Sequence, residues 1–196
     1  MDNENAKSLS DDVVALKNFL LDIECLDPLS RWVSKFNLFD VLDIAMFEIR
    51  HSSMLAWLLD PNENHGLDDS VLRGFIQYIV NSYSNDTDTI FNTLLMSCQD
   101  FTVSREWNVK DWKGRIDILA VSDNEKFVLC IENKIGAPEH GDQLNDYRSI
   151  VEKKYPDYRK MYVFLTPKGR QASDPDNWFS MSYKNVLKII KTARKR

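Results

Sequence analysis

Asp117, Glu132 and Lys134 are the residues of this chain whose types and spacing could do chemistry together. They lie in residues 114–134, where two apolar runs flank Asp123-Asn124-Glu125-Lys126, a loop of the length that hairpins use. If the loop pairs Ser122 with Phe127, Asp117 falls directly opposite Glu132, and Lys134 shares the face of Glu132. Opposed like charges destabilise a strand pair. At a Cβ separation of about 5 Å and an effective dielectric of about 20, the repulsion is roughly 3 kcal/mol. A divalent cation between the carboxylates would remove that penalty. The spacing also allows both acids to face solvent with Lys134 as their salt-bridge partner, and a one-residue bulge would break the pairing.

The elements that must position these groups follow from the rest of the chain. At 196 residues it can bury a core without disulfides or metals, and it fits one domain with an added helical part. Hydrophobic content of 43% and charged content of 28% are ordinary for a soluble globular protein. Three cysteines, Cys25, Cys98 and Cys130, without paired spacing predict a reducing compartment and give no zinc motif. The polar, acidic start matches neither a signal nor a transit peptide, and no apolar run approaches membrane-spanning length, so a cytoplasmic protein is expected. The net charge of −5 is uneven: residues 1–109 carry −11 and residues 110–196 carry +6. A basic face for a polyanion would therefore lie in the C-terminal half, although a solvated mixed surface has the same balance.

Residues 1–10 read as disordered. Helices are expected over 11–25, with Ser10 as N-cap, and over 29–44. In residues 47–61 the second half reads as a helix that must stop near Asp60-Pro61. A loop with His65-Gly66 precedes a helix over 69–83, a turn over 85–89 and a short helix over 90–98. Strands follow over 101–107, 114–122 and 126–134, the last two apolar on both faces and therefore central. A helix over 139–154 leads to a fourth strand over 160–165, parallel to its neighbour because a helical crossover reaches it. Residues 168–180 read as a polar loop, and 183–191 begin a last helix.

A helix-borne acid, an Asp on the second strand and Glu-x-Lys on the third, in αβββαβ order, resemble the PD-(D/E)XK nuclease superfamily. The matching residues are Gly114-Arg115-Ile116-Asp117-Ile118 and Glu132-Asn133-Lys134. More narrowly, Glu48, His51-Ser52, residues 55–61 and His65-Gly66 look like a branch of uncharacterised bacterial members with a Glu-x-x-His-Ser element before a Leu-Ala-Trp-Leu-Leu-Asp-Pro helix. The resemblance implies an α/β, restriction-endonuclease-like fold: an αβββαβ core, a mixed central sheet flanked by helices, and an N-terminal helical extension. Residues 1–35 would form the tail and first helix, and residues 36–196 the nuclease-like domain. Related proteins are often longer, which leaves room for a further C-terminal part.

The resemblance also implies roles. Asp117 and Glu132 would bind Mg²⁺ or Mn²⁺ with the backbone carbonyl of Asn133, and Glu48 would reach the metal directly or through water. Lys134 would orient or deprotonate the attacking water, or offset charge on the phosphate; its carboxylate neighbours tend to raise its pKa, which favours the electrostatic role unless the metal dominates. Gln143 and Tyr147, four apart on one helix face, would stand beside the site, as in exonuclease-like branches. Arg115, His51 and Glu106 are further candidates for substrate contact, although Arg115 could instead pair with Glu106, and His51 with Ser52 could cap a helix and bond Glu48. Trp107, Trp112 and Trp178 could stack on bases or pack in loops and core. No His pair among His51, His65 and His140 has the spacing of a zinc helix.

The expected activity is metal-dependent phosphodiester hydrolysis of DNA, in bacterial defence or phage conflict. The alternatives are a binding or regulatory protein that keeps the nuclease fold, and a helical interaction scaffold with an incidental sheet. Nucleic acid is the expected partner and a membrane is not. Oligomeric state stays open, a homodimer included.

Overall fold

The computed structural model describes residues 48–83, 87–110, 112, 114–136 and 141–194. The helices expected over 11–25 and 29–44, and the disordered start, lie outside these residues.

Helix α1 (Glu48–Leu59) is followed by α2 (Ser70–Tyr83) and α3 (Thr87–Leu95). Strands β1 (Thr102–Trp107), β2 (Ile116–Ser122) and β3 (Phe127–Asn133) come next, then α4 (Gln143–Lys154), β4 (Arg159–Thr166), β5 (Trp178–Ser182) and α5 (Tyr183–Ala193). The five strands form one mixed sheet in the order β1-β2-β3-β4-β5. β1, β2 and β3 run antiparallel in turn, whereas β3, β4 and β5 are parallel. The helical crossover through α4 therefore returns the chain parallel to β3, as its length requires.

Alternation along the strands divides the core into two layers. Phe127, Leu129 and Ile131 of β3, with Ile118 and Ala120 of β2, pack against Leu55, Leu59, Leu72, Phe75, Val186 and other apolar residues of α1, α2 and α5. Val128, Cys130 and Leu119 face the other way, onto Leu144, Tyr147 and Val151 of α4. Every residue of β3 is buried. The hairpin register is the one the loop length dictates, Ser122 opposite Phe127 and Ile118 opposite Ile131.

Several elements differ from expectation. Residues 168–180 are not simply a polar loop, because Trp178–Ser182 form a fifth strand whose Trp178 and Phe179 are buried. The first described helix already runs from Glu48, so His51 and Ser52 lie inside it rather than before it. Its stop at Leu59, just ahead of Asp60-Pro61, is where proline demands it. α3 starts at Thr87, within the expected turn, and ends at Leu95. Trp178 is 1% exposed and cannot stack on a base.

Candidate active site

Glu132, the last residue but one of β3, lies on the face turned to α4, and Lys134 follows two residues later on the same side. The Lys134 Nζ lies 3.0 Å from Glu132 Oε1. Asp117 occupies the β2 position that continues the register toward Glu132, one step past the last ladder pair, and accepts the Asn133 N–H at 2.8 Å. The two acids and the amine thus gather at one end of the hairpin and on one side of the sheet.

Burial makes this cluster electrostatically tense. Glu132 is 1% exposed and Lys134 is 9% exposed. Desolvation, with Asp117 adding to it, pushes the Glu132 carboxyl up to about 8. Asp117 also moves up through burial, held back by the Asn133 N–H and by Lys134. For Lys134, burial works downward but is outweighed by Glu132, Glu48 and Asp117, so its pKa rises. The ammonium therefore stays protonated and can donate hydrogen bonds or offset negative charge, but it is a poor proton acceptor.

Glu48 enters from the first turn of α1. Its Oε1 accepts the Ile135 N–H at 2.8 Å and the Gly136 N–H at 3.4 Å, and its Oε2 lies 3.8 Å from Lys134. Glu48 thus meets the carboxyl pair through Lys134. Among the described residues no three acidic, His or Cys side chains converge as a metal-holding group. Two carboxylates are nonetheless a sufficient protein contribution for Mg²⁺, which keeps several waters and takes its remaining oxygens from substrate phosphate. Glu132 Oε2 and Gln143 Oε1 are buried without a hydrogen-bond partner among the described residues, while Glu132 Oε1 has the Lys134 ammonium at 3.0 Å. Three carboxylates beside a single ammonium leave two negative charges in excess when all are ionised. A hard dication fits that donor set and that charge.

Asn133 faces away from the pair. Its Nδ2 donates to Ser52 Oγ at 3.0 Å and to the Glu48 carbonyl at 3.5 Å, while its Oδ1 accepts the Tyr183 hydroxyl at 2.8 Å. Only its backbone could reach a cation. On the α4 side, Gln143 Nε2 donates to the Tyr147 hydroxyl at 2.6 Å, and that hydroxyl donates to the Arg115 carbonyl at 2.5 Å. Burial raises the Tyr147 phenol far above its usual range. The Arg115 side chain turns outward and pairs with Glu106 at 3.3 Å, both exposed. Glu106 has φ +47° at the β1 position across from Asp117, a left-handed residue where the β1–β2 ladder skips one pair.

His51 lies edge-on to Tyr183 with ring centroids 5.8 Å apart. His65 is a structural lock: Nε2 donates to the Asp60 carbonyl at 2.8 Å and Nδ1 accepts the Leu67 N–H at 3.0 Å. His140 lies outside the described residues.

A family model of the PD-(D/E)XK nuclease superfamily matches residues 36–196. The chain belongs to this superfamily. Comparison with curated proteins finds no match, and comparison with solved structures finds none. Membership agrees with the α/β restriction-endonuclease-like sheet and implies a nucleic-acid substrate and the divalent-metal hydrolysis typical of PD-(D/E)XK nucleases. No helix among the described residues is long and apolar enough to cross a membrane.

Two participants escape sequence reasoning. Tyr183 follows a strand that the residue pattern hides, so nothing points it at Asn133. Ser52 is visible within the Glu-x-x-His-Ser element, but its use as a buried acceptor for Asn133 depends on how α1 crosses β3.

Proposed function

We propose that this PD-(D/E)XK protein is a Mg²⁺- or Mn²⁺-dependent nuclease that hydrolyses phosphodiester bonds of DNA inside the bacterial cell, in defence or phage conflict. The observation that carries the reading is the buried Asp117–Glu132 pair, in which Glu132 Oε2 is left without a hydrogen-bond partner among the described residues and one ammonium stands beside Oε1. Asp117 and Glu132 would hold the cation, joined by the backbone of Asn133 and, through water, by Glu48 and Gln143. When bound, the cation supplies Lewis acidity and offsets charge developing on the phosphate.

The chain's own groups do the rest. Lys134 remains charged, hydrogen-bonds the attacking water and compensates the non-bridging phosphate oxygens. Glu48 holds the Lys134 ammonium and the 135–136 backbone in place. Tyr147 and Gln143 tie α4 to the start of β2, so that Asp117 keeps its distance from Glu132.

DNA cleavage should require added metal and be abolished in Asp117→Ala, Glu132→Ala and Lys134→Ala proteins. Equal, metal-independent cleavage by wild type and Lys134→Ala would sink the assignment. A binding or regulatory protein without turnover draws some support from Glu48, which turns to Lys134 and the backbone rather than to the pair. Calorimetric titration with Mn²⁺ separates the readings, because a degenerate site takes up no metal.

A further inference from the structure

Trp107 at the end of β1, with Asn108, Val109, Lys110 and Trp112 in the connection to β2, faces Ile150, Lys153 and Lys154 of α4 across a groove of about 870 Å³. Four other grooves, near Asp100, Ser70, Lys134 and Ile79, are smaller, at 280 Å³ or less. None of its described lining residues is acidic, and three are lysines exposed to solvent. Both indoles are half-buried.

The groove is coupled to the carboxyl cluster. The Trp112 ring meets Tyr147 edge-on, with centroids 5.5 Å apart. The Tyr147 hydroxyl holds the Arg115 carbonyl, two residues before Asp117. Trp112 is also pinned from behind, because it folds over Gly114 so closely that any Cβ there would overlap the indole. From Tyr147 to Lys154 the helix rises about 10 Å, the length of roughly three stacked nucleotides. On the other side of Trp107 and Tyr155 a smaller groove is lined by Asp100 and Asp123, which would repel a phosphate chain.

We propose that the Trp107–Trp112 groove binds a single-stranded segment of the nucleic-acid substrate and leads it to the Asp117–Glu132 end of the hairpin. This rests on the nuclease reading and adds the strand state of the substrate. Indoles beside a lysine-lined channel suit unpaired bases, which offer their ring faces for stacking while the backbone follows the positive charge. Paired bases inside a duplex present no such face.

The test is anisotropy of a fluorescein-labelled single-stranded DNA about twelve nucleotides long, with the full chain in EDTA so that no cleavage occurs. Salt is varied between about 50 and 200 mM. Lys153→Gln/Lys154→Gln should bind more weakly, with the slope of log K against log salt reduced by about 1.4, two contacts at about 0.7 each. Trp112→Leu should weaken binding roughly tenfold, and oligonucleotide should quench wild-type indole emission. Lys153 and Lys154 are exposed, so the lysine pair reports even if the Trp112 variant misfolds. Wild-type affinity and slope in the lysine variant, or tighter binding of an equal-length duplex, would overturn the proposal. A wild-type protein that binds neither form overturns the groove proposal, and metal-dependent cleavage by that same protein would leave the nuclease reading standing.

Discussion

Exchange Glu132 for glutamine, strip the metal with chelator, and the protein should become more stable as it becomes inactive. Glu132 titrates near 8 in the folded protein against an ordinary 4.5. A carboxyl with a raised folded pKa holds its proton more tightly folded than unfolded. Stability is therefore fully present below about pH 4.5, declines as pH rises, and levels off above about pH 8. At pH 7 the deficit is roughly 3 kcal/mol, and well above pH 8 it approaches about 5 kcal/mol. Glutamine has nearly the same volume and no charge, and Lys134 keeps Glu48 as a partner. The variant should gain about 6–12 °C in Tm at pH 7 in EDTA, with little difference near pH 5. Differential scanning fluorimetry across this pH range reads the effect. Added Mn²⁺ should raise the Tm of wild type and leave the variant unchanged. If wild-type stability in EDTA is flat with pH, or both proteins follow the same slope, the carboxyls are not confined as the structure has them.

Removing either side-chain partner of Asn133, with Ser52→Ala or Tyr183→Phe, should cost about 1–3 kcal/mol in urea denaturation, because each strands a buried polar atom. The double variant should depart from additivity, since both bonds hold one side chain. Gly114→Ala should displace the Trp112 ring and lower stability by about 1–3 kcal/mol. Near-UV circular dichroism checks it, and an unchanged aromatic spectrum would show that the ring is not seated there.

The hairpin was readable because four loop residues leave one register that buries both apolar runs, and that register puts Asp117 across from Glu132. The parallel return of β4 followed from its helical crossover. Trp178–Ser182 was not readable as a strand, since five residues amid Asp, Asn and Ser give too short a signal to rise above a loop. The start of α1 was hidden by His51-Ser52-Ser53, residue types that read as a cap until Ser52 is seen to be buried. The left-handed turn at Glu106 and the inward use of Tyr183 are tertiary outcomes without a local signature. That Glu48 would turn to Lys134 depends on helix placement, which spacing in the chain does not encode.

The clamp on Asn133 has a consequence for synthesis. One of its holders, Ser52, is made 81 residues before Asn133; the other, Tyr183, is made 50 residues after it. A ribosome-bound fragment that stops short of residue 183 can pair its hairpin but cannot brace the end of β3 from that side, because it has no Tyr183 to offer. The strand end that carries Glu132 would thus stay unbraced on one side until synthesis has passed residue 183.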